Sequence, residues 1–296
     1  MTGPVLRGES PLEAAPGDPG RRHPPVLRGE SPLEAAAPGD PGRRHPPGET
    51  LVLPAHAKLN LDLAVLGVRP DGFHEIWTRF QAISLHDLLQ VEPAPATALI
   101  GGSGDDLVLR AQRALEEACQ RRLPARLRLV KRIPTGAGLG GGSADAAAAL
   151  RGLSQLYGLR CDLKQVAASL GADVPFFLVG GGAVATGRGE LLAPAPPARG
   201  WYALAWPGFP VSTPAVYQMW DEVGGDGKNQ LTRAALAVEP RLAEFATMLG
   251  AGWRMTGSGS AFFKPCPLRE DAERAVQTLS CWTAIARPVG PWGDVD

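Results

Sequence analysis

Ile133-Pro134-Thr135-Gly136-Ala137-Gly138-Leu139-Gly140-Gly141-Gly142-Ser143-Ala144-Asp145, running on into Ala146-Ala147-Ala148-Ala149-Leu150, places five glycines in seven residues. Immediately upstream, Ala125-Arg126-Leu127-Arg128-Leu129-Val130 alternates apolar and basic residues as a half-buried strand does. Downstream, Leu150, Leu153 and Leu156 recur at helical spacing. The glycines therefore occupy a strand-to-helix turn. Without Cβ atoms they let a ligand approach the backbone. The unpaired N–H groups of the first helical turn, together with the helix dipole, attract an anion there. The stretch reads as a phosphate cradle.

By itself the cradle does not define a reaction. The spacing G-x-G-x-x-G at Gly136, Gly138 and Gly141 occurs in dinucleotide folds, protein kinases and unrelated loops. A P-loop is excluded because no G-K-[ST] follows. A protein kinase lacks support because the chain has neither H-R-D nor D-F-G. A Rossmann site would carry an acidic residue ~20 positions on, at a strand end. Asp162 has about that distance, but its surroundings read as a helix start. Three consecutive glycines followed by Ser143 suit a longer wrap around several phosphates.

Composition narrows the class. The chain has 296 residues, a formal net charge of zero and 20% charged residues, which gives no support to nucleic-acid binding. Apolar residues make up 44%, enough for a core, and no apolar run reaches the ~18 residues of a membrane span. The expected setting is the cytoplasm. Cys119, Cys161, Cys266 and Cys281 form no C-x-x-C pair and read as reduced packing thiols. The five histidines make no metal-ligand cluster. Of thirty basic residues only five are lysines, so each lysine invites inspection.

Residues 1–48 are a tandem repeat. Pro4-Val5-Leu6-Arg7-Gly8-Glu9-Ser10-Pro11 recurs as Pro25-Val26-Leu27-Arg28-Gly29-Glu30-Ser31-Pro32. Two short, Pro- and Gly-rich copies without aromatic residues read as a disordered extension. A chain beginning near Glu49 is expected to keep its activity. From Ala57 to Leu63 polar and apolar residues alternate, putting Lys58, Asn60 and Asp62 on one strand face, either solvated or functional. Arg69-Pro70-Asp71-Gly72 marks a tight turn, with strands expected at 78–83 and 88–93. A helix is expected over 106–120 with Asp105 as its cap. The Ala-rich helix should stop at Gly158, and a further helix, 163–170, should be capped by Asp162 and closed by Gly171. Asp173 then lies in a loop before Pro175. Gly180–Gly189 reads as a glycine-rich turn and a short strand, and 193–200 as a linker or a long turn. Beyond it the pattern gives a strand at 201–207, a helix at 215–220 introduced by Ser212-Thr213-Pro214, a helix at 240–249, a small-residue turn leading into a strand over 254–263, a helix at 268–279 and a last strand at 284–286.

Three segments, read together, resemble the motifs of the GHMP small-molecule kinases: Pro54-Ala55-His56-Ala57-Lys58-Leu59-Asn60-Leu61, the glycine stretch from Pro134 to Ala147, and Thr256-Gly257-Ser258-Gly259-Ser260. The likeness is strongest to the branch acting on a cytidyl-diphospho-polyol. Its hallmarks match Arg69-Pro70-Asp71-Gly72-Phe73-His74-Glu75 and Leu170-Gly171-Ala172-Asp173-Val174-Pro175-Phe176. The match runs from about residue 50 to the end. It implies an α+β, two-domain GHMP kinase fold: a mixed-sheet N-terminal domain over 49–192, a ferredoxin-like C-terminal domain over 193–296, and an active site in the cleft between them. Two positions depart from the family pattern, which usually has Tyr where this chain has Phe73 and Pro where it has His56.

The resemblance implies ATP-dependent phosphorylation of a hydroxyl of a cytidyl-diphospho small molecule, with Lys58 and Asp173 as the catalytic pair. A neighbouring lysine makes an aspartate a weaker base. Phosphoryl transfer has a loose transition state that needs positioning and charge compensation more than a strong base, so orientation should outweigh proton abstraction. Backbone amides from Gly136, Ala137, Gly138, Leu139, Gly140, Gly141, Gly142 and Ser143 would bind the triphosphate, Pro134 and Thr135 would also line the ATP site, and the Ser143 hydroxyl would meet Mg2+. Helix capping and dipole compensation are equally open readings for Ser143 and Asp145. Gly257, Ser258 and Gly259 would support the phosphate loop. Asn60, Phe73, His74, Thr213, Pro214 and Tyr217 would bind the substrate, with His74 on the base edge and Phe73 and Tyr217 as stacking planes. Core packing is the other reading of the two rings. The expected assembly is a monomer or homodimer. Another GHMP kinase, for homoserine or mevalonate, is the nearest alternative; a non-catalytic nucleotide-binding module and a Rossmann oxidoreductase are further ones.

Overall fold

Two long strands begin the folded chain. In this computed structural model, which describes residues 50–102 and 106–292, β1 (Leu51–Val68) pairs antiparallel with β2 (His74–Pro93) along nearly its whole length. The tandem repeat and Asp105 lie outside the described residues. The expected turn joins the strands: Arg69 N–H donates to Phe73 O and Gly72 N–H to Arg69 O. Sequence reading divides β2 into two strands, whereas the structure shows one. The division reflects partners: beside β1, residues 78–81 pair with β5 (Gly182–Thr186) and residues 88–93 with β4 (Ala125–Val130). Register shifts at His56/Lys58, Asn60/Asp62 and Val65/Gly67 bend and twist the ribbon, as bulges do. β3 (Ala98–Ile100) runs parallel to β4, making the six-stranded sheet mixed.

Helices cover one face of this sheet. α1 (Leu107–Cys119) is capped by Asp106, whose Oδ1 accepts from Val108 N at 2.9 Å, one residue later than expected. α2 (Gly141–Tyr157) buries Ala144 to Leu150, Gly152 and Leu153 against β1, β2 and α1. The small residues allow close approach: a Cβ on Gly152 would lie 2.8 Å from Val91 and 2.9 Å from Leu53 side-chain carbons. Gly158 ends α2 at φ 61°. Asp162 caps α3 (Leu163–Leu170) by accepting from Lys164 N. The segment read as loop around Asp173 contains a helix, α4 (Val174–Val179), with Asp173 at its N-cap. Pro175 in its first turn lacks only an N–H that would be unpaired anyway.

The expected linker also differs. β6 (Leu191–Ala195) pairs with β5, so the first sheet continues to Ala195 rather than ending at 192. The second sheet comprises β7 (Trp201–Trp206), β8 (Arg254–Met255), β9 (Phe262–Cys266) and β10 (Trp282–Ala286) in the order β10-β7-β9-β8, all antiparallel. α5 (Thr213–Val223), α6 (Thr232–Val238) and α7 (Arg241–Leu249) connect β7 to β8, and α8 (Arg269–Val276) connects β9 to β10. This is the ferredoxin-like strand order. α6 has too little periodic pattern to be legible in the sequence.

The cysteine reading is corrected. Cys119 and Cys161 form a disulfide with their Cα atoms 6.3 Å apart, while Cys266 and Cys281 are free. The 42-residue separation hides the pair; packing of α1 on α3 brings the end of one beside the start of the other. No helix among the described residues is long and apolar enough to cross a membrane.

Candidate active site

The glycine stretch wraps from β4 into α2. Gly136, Gly138 and Gly140 have φ of 72°, 78° and 74°, a region side-chain-bearing residues rarely adopt. Gly140 is the N-cap of α2 and offers no side-chain oxygen to the first turn, leaving those amides for a ligand. The loop forms one wall of a cavity of about 1210 Å3 between the two sheets. Lys58, Asn60, Phe73, His74, Asp173, Thr213, Pro214, Tyr217, Gly257 and Ser258 line the same cavity, so the fold gathers residues from five distant segments.

Lys58 sits at the centre. Its backbone N–H donates to Leu139 O at 2.9 Å, tying β1 to the phosphate loop. Its ammonium, on a side chain only 6% exposed, lies 3.3 Å from Asp173 Oδ2 and donates to Asn60 Oδ1 at 2.6 Å. The Phe80 ring lies below it, 5.0 Å from Nζ. Thr78, which the sequence reading passed over, fixes the polarity of this group. Its hydroxyl donates to Asp62 O at 2.7 Å, so its oxygen accepts from Asn60 Nδ2 at 2.8 Å. That leaves Asn60 Oδ1 turned to Lys58. Asn60 thus orients the lysine, whatever contact it also makes with substrate.

The third motif closes over the loop. A Cβ on Gly138 would lie 2.7 Å from Thr256 O and 2.8 Å from Gly259 O, and Ala261 N–H donates to Ala137 O at 2.9 Å. Ser258 and Thr213 hydroxyls are 2.7 Å apart, joining this loop to the start of α5. Buried Asn229, also passed over, donates to Met255 O and Gly257 O at 3.0 and 2.8 Å and holds the turn in place.

At the other end, α5 reaches across to the turn between β1 and β2. The His74 and Tyr217 rings stack with centroids 4.8 Å apart, and Asp221 Oδ1 lies 2.8 Å from His74 Nε2. The Tyr217 face expected to stack on a base is thus partly engaged by His74. Burial, then the Asp173 carboxylate, pushes the Tyr217 phenol well above its usual range, so it remains a neutral donor. Phe73 is 54% exposed and carries the Arg188 guanidinium 4.8 Å from its ring centre.

Lys131 is the remaining basic group on this cavity, and its rarity in the composition was the available signal. Its ammonium lies 2.5 Å from Asp87 Oδ2 and 2.6 Å from Asp145 Oδ2. Asp87 also accepts from the backbone N–H groups of Arg132 and Ile133, whereas Asp145 Oδ1 is buried without a protein partner. Burial pushes the Asp145 carboxyl up to about 8 against the pull of Lys131. Asp145 is therefore part of a buried charge cluster behind the loop rather than an exposed dipole-compensating residue. Ser143 makes no side-chain hydrogen bond among the described residues and faces the cavity.

Comparison with known proteins identifies the family. Residues 106–181 match the model of the GHMP kinases N terminal domain. A 4-diphosphocytidyl-2-C-methyl-D-erythritol kinase of Carboxydothermus hydrogenoformans is 35% identical over 281 residues, covering 80% of this chain and 96% of its own length. One from Thermus thermophilus is 40% identical over 255 residues, covering 77% of this chain and 92% of its own length. The crystal structure of a 4-(cytidine 5'-diphospho)-2C-methyl-D-erythritol kinase superposes with a TM-score of 0.71 at 38% identity, covering 81% of this chain and 99% of that one. Fold and site together define a small-molecule kinase of the GHMP class. Within that class, the chain belongs to the 4-diphosphocytidyl-2-C-methyl-D-erythritol kinase family.

Proposed function

We propose that this enzyme transfers the γ-phosphoryl group of ATP to a hydroxyl of 4-diphosphocytidyl-2-C-methyl-D-erythritol, giving the 2-phosphate and ADP, a step of non-mevalonate isoprenoid precursor synthesis. The observation that carries the reading is the 3.3 Å pair of Lys58 and Asp173, placed between the glycine loop and the His74 turn in one cavity. ATP phosphates lie along the glycine loop and the N-terminus of α2. The cytidyl end lies toward Phe73, His74 and Tyr217. The substrate hydroxyl is thereby brought between the γ-phosphate and Asp173.

Asp173 orients that hydroxyl and receives its proton as the oxygen bonds to phosphorus and the ADP oxygen leaves. Lys58, oriented by Asn60, holds Asp173 and offsets charge on the transferring group. Positioning and charge compensation provide most of the acceleration. A hydroxyl oxygen suits a hard cation, and Ser143, on the cavity wall beside the phosphate loop, would meet Mg2+ held mainly by the nucleotide phosphates. When bound, Mg2+ supplies charge neutralisation at the phosphates.

Lys58→Ala and Asp173→Ala should each lower kcat by about 10²–10⁴-fold with unchanged far-UV circular dichroism. Retained turnover in either overturns the assignment. Tyr217→Ala should raise KM for the cytidyl substrate more than KM for ATP; equal losses would make the ring a packing element.

A further inference from the structure

α4 has six residues and carries Asp173 at its N-cap. Helices this short are not stable alone, so something must hold α4 in place. Its C-terminal carbonyls need partners as well. Gly180 N–H satisfies Phe176 O at 2.8 Å. The next partners come from more than a hundred residues away: the Trp292 indole Nε1–H donates to Phe177 O at 3.1 Å and the Trp292 backbone N–H to Val179 O at 3.2 Å.

Trp292 arrives on a strap that leaves β10 in the second sheet and returns to the first. Ser84 N–H donates to Arg287 O, Val289 N–H to Ala82 O, and Gln81 Nε2 to Val289 O at 3.1 Å. The ring then lies on Gly180 so closely that a Cβ there would be 2.4 Å from ring carbons. His56 stacks on the same ring with centroids 5.2 Å apart, and the Arg151 guanidinium lies 5.7 Å from its centre. His56, a departure from the family pattern without an explanation in the sequence, is thus part of the tryptophan's seat. Burial, then the nearby His86, lowers its pKa to about 4, so the imidazole packs as a neutral ring.

A displacement of α4 would be felt across the site. Phe176 packs against Phe80, the ring beneath Lys58, with centroids 4.9 Å apart. The Phe177 ring reaches the space a Cβ on Gly140 would fill, at 2.6 Å, beneath the start of α2. We propose that Trp292 is a positioning residue for phosphoryl transfer: it caps the C-terminal end of α4 and thereby holds Asp173, at the other end, against Lys58. This rests on the catalytic reading of Asp173.

Trp292→Phe keeps an aromatic ring and deletes the indole N–H. It should lower kcat about 5–10-fold, with KM for ATP and for the cytidyl substrate within about twofold of wild type; Trp292→Ala should lower kcat about 10²-fold, the scale of a small misplacement of a reacting group. In single-turnover measurements Trp292→Phe should have no further effect in an Asp173→Ala background, because the two act through one carboxylate. An unchanged kcat, a matching rise in KM, or the same fold loss in both backgrounds overturns the proposal. Hydrogen exchange of the α4 amides tests the cap separately from turnover: it should accelerate at 176–179 in Trp292→Phe, and unchanged exchange also overturns the proposal. An active Asp173→Ala enzyme with accelerated exchange in Trp292→Phe would instead refute the catalytic reading and leave the cap standing.

Discussion

Replacing Gly138 by alanine probes how tightly the third motif closes on the phosphate loop. Two effects combine. With φ at 78°, a Cβ costs about 1–2 kcal/mol in backbone conformation alone. The new methyl would also lie 2.7 Å from Thr256 O and 2.8 Å from Gly259 O, at least about 0.7 Å inside ordinary van der Waals contact. Both obstacles are backbone atoms, so no side-chain rotation relieves them; the loops must separate. Conformational strain alone should lower Tm by about 2–8 °C at ~2–4 °C per kcal/mol. A shift of several tenths of an ångström at the phosphates should lower kcat/KM for ATP by about 10–100-fold, since 1 Å can cost ~10²-fold. Gly158→Ala is the matched control: its φ is 61°, it lies outside the nucleotide site, and nothing stands within 4 Å of its Cβ. It should show the Tm loss without the kinetic one. Steady-state ATP kinetics and thermal unfolding on both variants decide the matter; a Gly138→Ala enzyme with wild-type kcat/KM for ATP would refute the closure argument.

Three further outcomes are expected. Reduction of the Cys119–Cys161 bond, or Cys119→Ser, should destabilise the enzyme by up to about 4 kcal/mol, the chain-entropy value for a loop of 42 residues, readable as a lower urea midpoint. Asp145 is pushed up to about 8 in the folded state, above its unfolded value, so the stability it contributes is complete below about pH 4 and is lost as pH rises toward 8. Asp145→Asn should therefore flatten the fall in unfolding free energy between pH 5 and 8, a slope of at most about 1.4 kcal/mol per pH unit for one proton; an unchanged slope would place the titrating proton elsewhere. Thr78→Val, which removes the hydroxyl fixing the Asn60 amide, should lower kcat about 10-fold, and Thr78→Ser should restore it.

Much of this architecture was legible because short-range rules decided it. The alternation at 125–130, the glycine turn and the Ala-rich helix formed where expected, since binary pattern, cap and glycine all agree there. Lys58, Asn60 and Asp62 share a strand face by the period of two. The misses have a common cause in long-range contacts. β2 reads as two strands because its partners change midway. β6 reads as linker because Pro194 and Pro196 outweigh two leucines, yet an edge strand tolerates proline. α4 is too short to show periodicity and depends on Trp292, far along the chain. The hydrogen bonds by which Thr78, Asn229 and Asp221 hold the site together run to groups 16 to 147 residues away, which no local pattern records.

The central claim is tested most directly by one measurement: single-turnover transfer of labelled γ-phosphate from ATP, with 4-diphosphocytidyl-2-C-methyl-D-erythritol, homoserine and mevalonate offered separately to the wild-type enzyme. The expected result is stoichiometric labelling of the cytidyl substrate alone, dependent on Lys58 and Asp173. Labelling of homoserine or mevalonate instead, or ATP binding with no transfer to the cytidyl substrate, would contradict it.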